Sequence, residues 1–335
     1  MTRCDEHVWE TNVTTIIRVC FFLAVASAAL LRPAIAEPFP TRVVRLVVPF
    51  PAGGGVDVLA RAIAERLSKT WGQTVVIDNK AGAGTMIGGE AVARSAPDGY
   101  TLLVTSDSTI TSNPFLYKKQ LFDPATAFTP VTQLIDMAQM VVVHPSLPAN
   151  SLQELVALAK QGRLNYGSYG NGSSPNLLFE SLKAKAGVDI VQVPFRGAAP
   201  AVVATLANDV QMTLGGAAIA GAYVMAGKLK ALATGRKERL TSLPDVPTLK
   251  EAGFSEIDPR TWFGIFAPAG TPSDIVAKIQ QDIASIINEP AFKERYIDSV
   301  GYGAVGSTPE AFAAFIGADL DYKRELISIA RIEPE

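Results

Sequence analysis

The chain has 335 residues, 48% of them hydrophobic and 19% charged, with a formal net charge of −2. That is a globular composition with room for two domains of about 100–200 residues each. A near-neutral chain with no basic cluster is unsuited to nucleic acid, and nothing in it reads as a multi-span membrane protein.

Residues 16–31, IIRVCFFLAVASAALL, form an apolar run broken by Arg18 and too short beyond it to span a bilayer comfortably. Ala34-Ile35-Ala36 then supplies an A-x-A cleavage site before Glu37, so residues 1–36 are predicted to be a secretory signal peptide. An uncleaved anchor is the alternative, and the mixed stretch upstream of Arg18 leaves a later start codon open. Cys4, Cys20 and His7 all lie in this leader, which leaves the exported chain without a thiol and with His144 as its one histidine. Disulfides, thiolate catalysis and cysteine or His-rich metal sites are thereby excluded, and no cofactor or metal is expected. A Ser-His-Asp triad would have to be built around His144.

The first strand, VVRLVVPF (43–50), is a nearly continuous apolar run of the kind buried on both faces of a parallel sheet. A glycine loop and an amphipathic helix follow, with Leu59, Ile63 and Leu67 on one face and Arg61, Glu65 and Lys69 towards solvent. TVVIDN (74–79) and TLLVTS (101–106) are the next strands, and each ends in small residues, KAGAG and DSTITSN. In such a doubly wound α/β unit the ligand crevice lies at the carboxyl ends of the strands.

After a strand-like connection, FTPVTQLIDMAQMVVVHPS, a second unit repeats the pattern. LNYGSYG (164–170), DIVQVPF (189–195) and VQMTLGG (210–216) each run into a loop of glycine, serine or alanine and then a helix. TWFGIFAPAG leads into a helix with Ile275, Ile279, Ile283 and Ile286 on one stripe, and the last helix opens on a capping box, Ser307 to Glu310. The predicted architecture is two α/β lobes around a hinged cleft. Residues 37–137 and 263–335 make the first lobe, to which the last helices return, and 138–262 the second.

The opening loop fails both nucleotide patterns. Gly55 is followed by Val56-Asp57-Val58 with no lysine for a Walker A loop, and Val58 stands where G-x-G-x-x-G needs its third glycine. The G-x-S-x-G elbow of serine hydrolases is absent, since Gly167-Ser168-Tyr169-Gly170 and Gly172-Ser173-Ser174 are wrongly spaced. Asp57, in the first helical turn, either fixes its loop or touches a ligand, and Asp107 shares that ambiguity. What remains is a cleft lined by backbone amides, small hydroxyls and one candidate cation, Arg196. Such a lining can hold a small carboxylate without reacting it.

VRLVVPFPAGGGVDVLAR, GQTVVIDNKAGAGTMIG, APDGYTLLV, LNYGSYGNGSSPN, VPFRGAAPA, AGKLKALAT, LPDVPTLKEAGF and WFGIFAPAGTP occur in that order from about Phe39 to the C-terminus. As an ordered set they resemble the signatures of the Bug family, the periplasmic solute-binding receptors of tripartite tricarboxylate transporters. The resemblance implies a periplasmic, monomeric, non-catalytic protein of the type II Venus-flytrap fold. It also implies a carboxylated metabolite held between the lobes and delivered to membrane permease subunits. Carried over, the grip falls on Pro51, Ala52, Gly53, Gly54 and Gly55 with Asp57, and on Ser168, Gly170, Asn171, Ser173 and Ser174. Gly82, Ala83, Gly84, Ser106, Asp107, Ser108, Phe195, Arg196 and Gly197 complete the walls. Two positions depart from the family pattern. Gly215-Gly216 replaces an acidic-amide pair and Gly55-Val56 replaces Ser-Thr, so side chains are stripped from the cleft and a bulkier or less polar ligand tail is expected. A periplasmic α/β hydrolase and a ligand sensor for a signalling partner are the alternative readings.

Overall fold

The computed structural model describes residues 39–334, apart from 138, 236, 237, 241, 242, 256 and 258. The leader, with Cys4, Cys20, His7 and the Ala36–Glu37 junction, lies outside the described residues. Met1–Thr41 and Arg42–Glu335 form separate units, and the fold is that of the second.

Strand β1 (Val44–Val48) buries every residue but Arg45. Buried on both faces, it needs a partner on each edge, and it lies parallel to both β2 (Val75–Asn79) and β3 (Thr101–Ser106). Helix α1 (Gly55–Trp71) joins β1 to β2, burying Leu59, Ile63 and Leu67 while Arg61, Glu65 and Lys69 face water. Each fully buried leucine or isoleucine on that stripe contributes about 1.5–3 kcal/mol. Helix α2 (Met86–Ala93) joins β2 to β3, and β3 passes almost at once into a π-helical turn, Ser108–Ser112, continued by α3 (Asn113–Leu116). After α4 (Pro124–Ala127), the long β4 (Phe128–Met137) joins the same sheet. The returning strands β10 (Thr261–Pro268) and β11 (Tyr302–Ala304) complete the order β11-β4-β10-β3-β1-β2, with β10 antiparallel to both its neighbours.

The second sheet begins just beyond β4. Strand β5 (Gln139–Val143) lies antiparallel between β8 (Met212–Gly216) and β9 (Lys230–Thr234), while β6 (Leu164–Ser168) is parallel to β8 and to β7 (Ile190–Pro194). The order is β7-β6-β8-β5-β9. Its helices are α5 (Leu152–Gln161), α6 (Ser174–Ala186), α7 (Ala198–Leu206) and α8 (Ala217–Met225). The strands thus change sheets between Met137 and Gln139 and return between Thr234 and Thr261. The expected boundary at 262/263 falls inside β10, which belongs wholly to the first sheet.

Three C-terminal details differ from the sequence reading. Helix α9 (Ser273–Asn288) buries Val276, Ile279, Ile283, Ile286 and Ile287, so its stripe is turned slightly and Ile275 is only half-buried. Helix α10 (Pro290–Tyr296) and then α11 (Pro309–Ala330) follow, and the N-cap of α11 is Thr308, whose hydroxyl accepts the Ala311 N–H. Pro309 fits the first helical position, which places the cap one residue later than Ser307. The Ser307 hydroxyl instead accepts the Gln133 N–H. Nor does α11 return only to the first lobe. Phe312 packs with Trp262 and Phe266 under the first sheet, whereas Leu326 and Ile327 join the second lobe's core with Phe179 and Leu182. Among the described residues no helix is long and apolar enough to cross a membrane.

Candidate functional site

The carboxyl ends of β1 and β3 in one sheet, and of β6 and β8 in the other, open onto one cavity of about 570 Å³. The first lobe contributes Phe50 and Gly55 after β1, Gly84 and Thr85 after β2, and Ser106, Asp107 and Ser108 after β3. The second contributes Tyr169 to Ser174 after β6, Ala198 after β7, and Gly216 after β8. Met137, Gln139, Thr261 and Phe263, on the strands that carry the chain between the sheets, form the back, with Tyr302 beside them. Helices α1, α6, α7 and α8 all begin at or beside this wall, at Gly55, Ser174, Ala198 and Ala217. A helix start carries unpaired N–H groups and the positive end of the peptide dipoles, so four of them favour an anion without a charged side chain.

Hydroxyls and amides hold the wall in shape. Asn113 Nδ2 donates to Gly84 O at 2.6 Å and to Thr85 Oγ1 at 3.3 Å, and Thr109 Oγ1 donates to Thr85 Oγ1 at 2.8 Å. Ser106 and Ser108 share a hydroxyl bond of 2.8 Å. In the second lobe the Gly172 N–H donates to Asn176 Oδ1 at 2.8 Å, and the buried Tyr169 hydroxyl donates to Leu214 O at 2.5 Å. Burial pushes that Tyr169 hydroxyl well above the usual phenol range, so it stays a neutral donor. Between the lobes, Ser174 Oγ bonds Thr261 Oγ1 at 2.8 Å, and Gln139 Nε2 donates to the same Thr261 oxygen at 2.5 Å.

Two glycines permit close approaches. A β-carbon on Gly55 would stand 2.7 Å from the Tyr302 hydroxyl oxygen and 3.6 Å from the Phe263 ring, an edge-to-face pair with centroids 5.7 Å apart. Gly172, at φ +70°, lies against Leu116, and a β-carbon there would overlap the leucine methyl.

The charged lining is acidic. Asp107 pairs with Lys323 of α11 at 3.0 Å, both side chains being buried. Burial pushes the Asp107 carboxyl above its ordinary range, the Lys323 ammonium opposes this, and the Asp319 charge adds to it. Asp319 is itself buried and accepts from Thr111 Oγ1 at 2.7 Å and Trp262 Nε1 at 2.9 Å, while its Oδ1 has no partner. Glu333 is the other acidic residue of the wall, and no lysine, arginine or histidine belongs to it among the described residues.

Of the residues expected from the sequence, Gly55, Gly84, Ser106, Asp107, Ser108, Gly170, Asn171, Ser173, Ser174 and Gly216 meet at this cavity. The rest lie around it. Pro51, Ala52, Gly53 and Gly54 form an exposed loop, as do Gly82 and Ala83. Asp57 lies behind the first loop: its Oδ2 accepts from Gly53 N at 2.8 Å and Arg61 Nε at 2.9 Å, and its Oδ1 from Asn79 Nδ2 at 2.8 Å. Burial would raise its pKa, but these three bonds outweigh it and hold the carboxyl below the usual range. Ser168 is buried and accepts from Gln192 and the Gly170 N–H. Phe195 packs against Gly167, Gly197 caps α7, and Gly215 lies tight against Ala220 and Val202. Arg196 is exposed and outside the lining, so the expected cation does not reach the cavity. Thr85, Asn113, Gln139, Thr261, Phe263 and Tyr302 are wall residues outside the set expected from the sequence. His144 bonds Ser146 at 2.7 Å and is not part of the wall, and among the described residues no cluster of His, Cys, Asp and Glu could hold a metal.

The model of the tripartite tricarboxylate transporter family receptor, TctC, matches residues 59–331. The protein BugT of Bordetella pertussis is 33% identical over 316 residues, covering 92% of this chain and 95% of its own. An R. palustris protein solved with adipate is 33% identical with a TM-score of 0.79, covering 89% of this chain and all of that one. MatC of Rhodopseudomonas palustris, solved with bound malate, is 31% identical with a TM-score of 0.75, covering 86% of this chain and all of its own. Matched by that model over most of its length, and by such relatives over 86% to 92% of it, the chain belongs to the tripartite tricarboxylate transporter family of receptors, the TctC or Bug type.

Proposed function

We propose that the protein is a periplasmic receptor that captures a small carboxylate-bearing metabolite by closing its lobes, and delivers it to the permease subunits of a tripartite tricarboxylate transporter. The observation that carries this reading is the cavity between the two sheets, where four helix starts and a set of serine and threonine hydroxyls converge without a cationic side chain among the described residues. N–H groups of that kind stabilise a carboxylate head group without the desolvation cost of a buried arginine. The relatives solved with adipate and malate support the same ligand class. No chemical step is part of this function. The histidine a hydrolase would need is paired with Ser146 away from the wall, which favours a receptor over the hydrolase alternative.

Membership of the family supports delivery to a permease, and in this reading the receptor acts as a monomer that presents its closed form to the membrane subunits. The test is a melting-temperature panel of butyrate, hexanoate and benzoate, their amides and inorganic phosphate. At a hundredfold excess over its Kd a ligand stabilises the native state by about 2.7 kcal/mol. For a domain of this size that is a rise of roughly 5–10 °C. Carboxylates are expected to produce it. A shift with amides or phosphate while every carboxylate fails would reject the reading.

A further inference from the structure

Granted that the cavity holds a carboxylate, its own charges restrict what the rest of the ligand can be. The wall carries Asp107 and Glu333 and, among the described residues, no basic side chain. Lys323 pairs with Asp107 at 3.0 Å and is not itself a wall residue, so the lysine's charge is balanced inside the protein while Asp107 belongs to the wall. Asp319, buried on the same helix with one oxygen unpartnered, keeps this end of the interior from turning positive. The nearby amide adds no donor. Both hydrogens of Asn113 Nδ2 are taken by Gly84 O and Thr85 Oγ1, which leaves its Oδ1 as an acceptor. Ser106 and Ser108 spend one hydroxyl hydrogen on each other. An ionised carboxylate can only accept, and a second ligand anion beside it meets like-charge repulsion. A ligand group that donates a hydrogen bond meets no such penalty.

We infer that the ligand has a single carboxylate and bears a hydrogen-bond donor, an amide or an ammonium, at the end that faces Asp107. The carboxylate lies at the helix starts of the second lobe, where Ser173, Ser174, Ala198 and Gly216 line the wall. The donor end lies in the first lobe against Asp107. This distinguishes the receptor from its relatives solved with the dicarboxylates adipate and malate. Asp107 is thereby the residue that sorts ligands of similar length, and Lys323 is the positioning residue that allows it to stay ionised when buried.

The experiment is calorimetric titration of the whole exported protein with matched pairs, each a dicarboxylate and its monoamide: succinate and succinamate, adipate and adipamate, terephthalate and terephthalamate, with 6-aminohexanoate as the ammonium probe. At least one donor-bearing probe is expected to bind ten times or more tighter than the dicarboxylate of its length. Asp107→Asn should erase most of that preference by strengthening the dicarboxylate. The double variant Asp107→Asn/Lys323→Met, which leaves no lone ammonium in the interior, should do the same and guards against a folding defect in the single one. A dicarboxylate that binds the unmodified protein as tightly as its monoamide overturns this inference alone, as does an unchanged preference in both variants. Failure of every probe to bind overturns the carboxylate-receptor reading and this inference with it.

Discussion

Replacing Gly172 by alanine tests how the second lobe's loop is fitted against the first. At φ +70° an alanine pays for a left-handed backbone, about 1–2 kcal/mol. Its β-carbon would also overlap Leu116, a residue that follows β3 of the first sheet yet lies in the second lobe's core. Overpacking of that kind costs about 1–3 kcal/mol, so the expected loss lies between about 2 and 5 kcal/mol. The two contributions separate in a double-mutant cycle. Leu116→Ala alone costs about 2–5 kcal/mol through the cavity it leaves. In Gly172→Ala/Leu116→Ala the new methyl enters that space, and only the backbone penalty of the glycine replacement survives. Urea unfolding of the four proteins should therefore show the double variant more stable than the summed singles predict, by about 1–3 kcal/mol. Additivity within about 0.5 kcal/mol would mean that the loop does not bear on Leu116, and the steric account would fail.

Asp57→Asn should lower stability by about 1–3 kcal/mol at neutral pH, because its single amide oxygen replaces only one of the two carboxylate acceptors: if it accepts from Gly53 N–H and Arg61, its NH2 faces the Asn79 Nδ2 donor. The folded pKa of Asp57 lies below its ordinary value, so its contribution is complete above the unfolded pKa and is lost as pH falls through the folded one. Unfolding measured from pH 7 down to 2 should show an acid-side slope that Asp57→Asn flattens, and an identical slope in both would refute the role. Arg196→Ala should leave carboxylate affinity within about threefold, under roughly 0.7 kcal/mol, since the side chain is exposed and outside the wall; a tenfold loss by titration would bring the arginine back into the site. Intact-mass analysis of protein recovered from the periplasm should give a chain starting at Glu37 with no reactive thiol, and retention of the Cys20 mass would contradict the cleavage site.

The sequence was informative where backbone geometry leaves a trace in composition. Apolar runs ending in glycine or serine marked β1, β3, β6 and β8, and the carboxyl ends of these strands do form the cavity wall. A glycine run signals a permissive backbone but not which of its residues faces inward. Asp57 clamps the N–H of Gly53, and of the five loop residues only Gly55 reaches the wall. Thr261 and Gln139 left no signal because each sits in an ordinary strand and gains its role from the crossing between sheets. Lys323 was illegible for a different reason. It lies 216 residues from Asp107, in a helix whose exposed-looking DYKRE pattern gives no hint that the lysine is turned inward. Arg196 shows the converse, a cation placed by sequence just past a strand end that the fold leaves in solvent.

Helix α11 has a consequence for how the molecule comes apart. It is 22 residues long, about 33 Å, and is shared between two hydrophobic clusters. Unfolding either lobe would strip apolar surface from the half of the helix buried there and leave the other half attached to a core that has lost part of its support. The two lobes therefore share one free-energy reservoir, and calorimetry should record a single melting transition with equal calorimetric and van't Hoff enthalpies, where two lobes joined only by strands would melt in sequence.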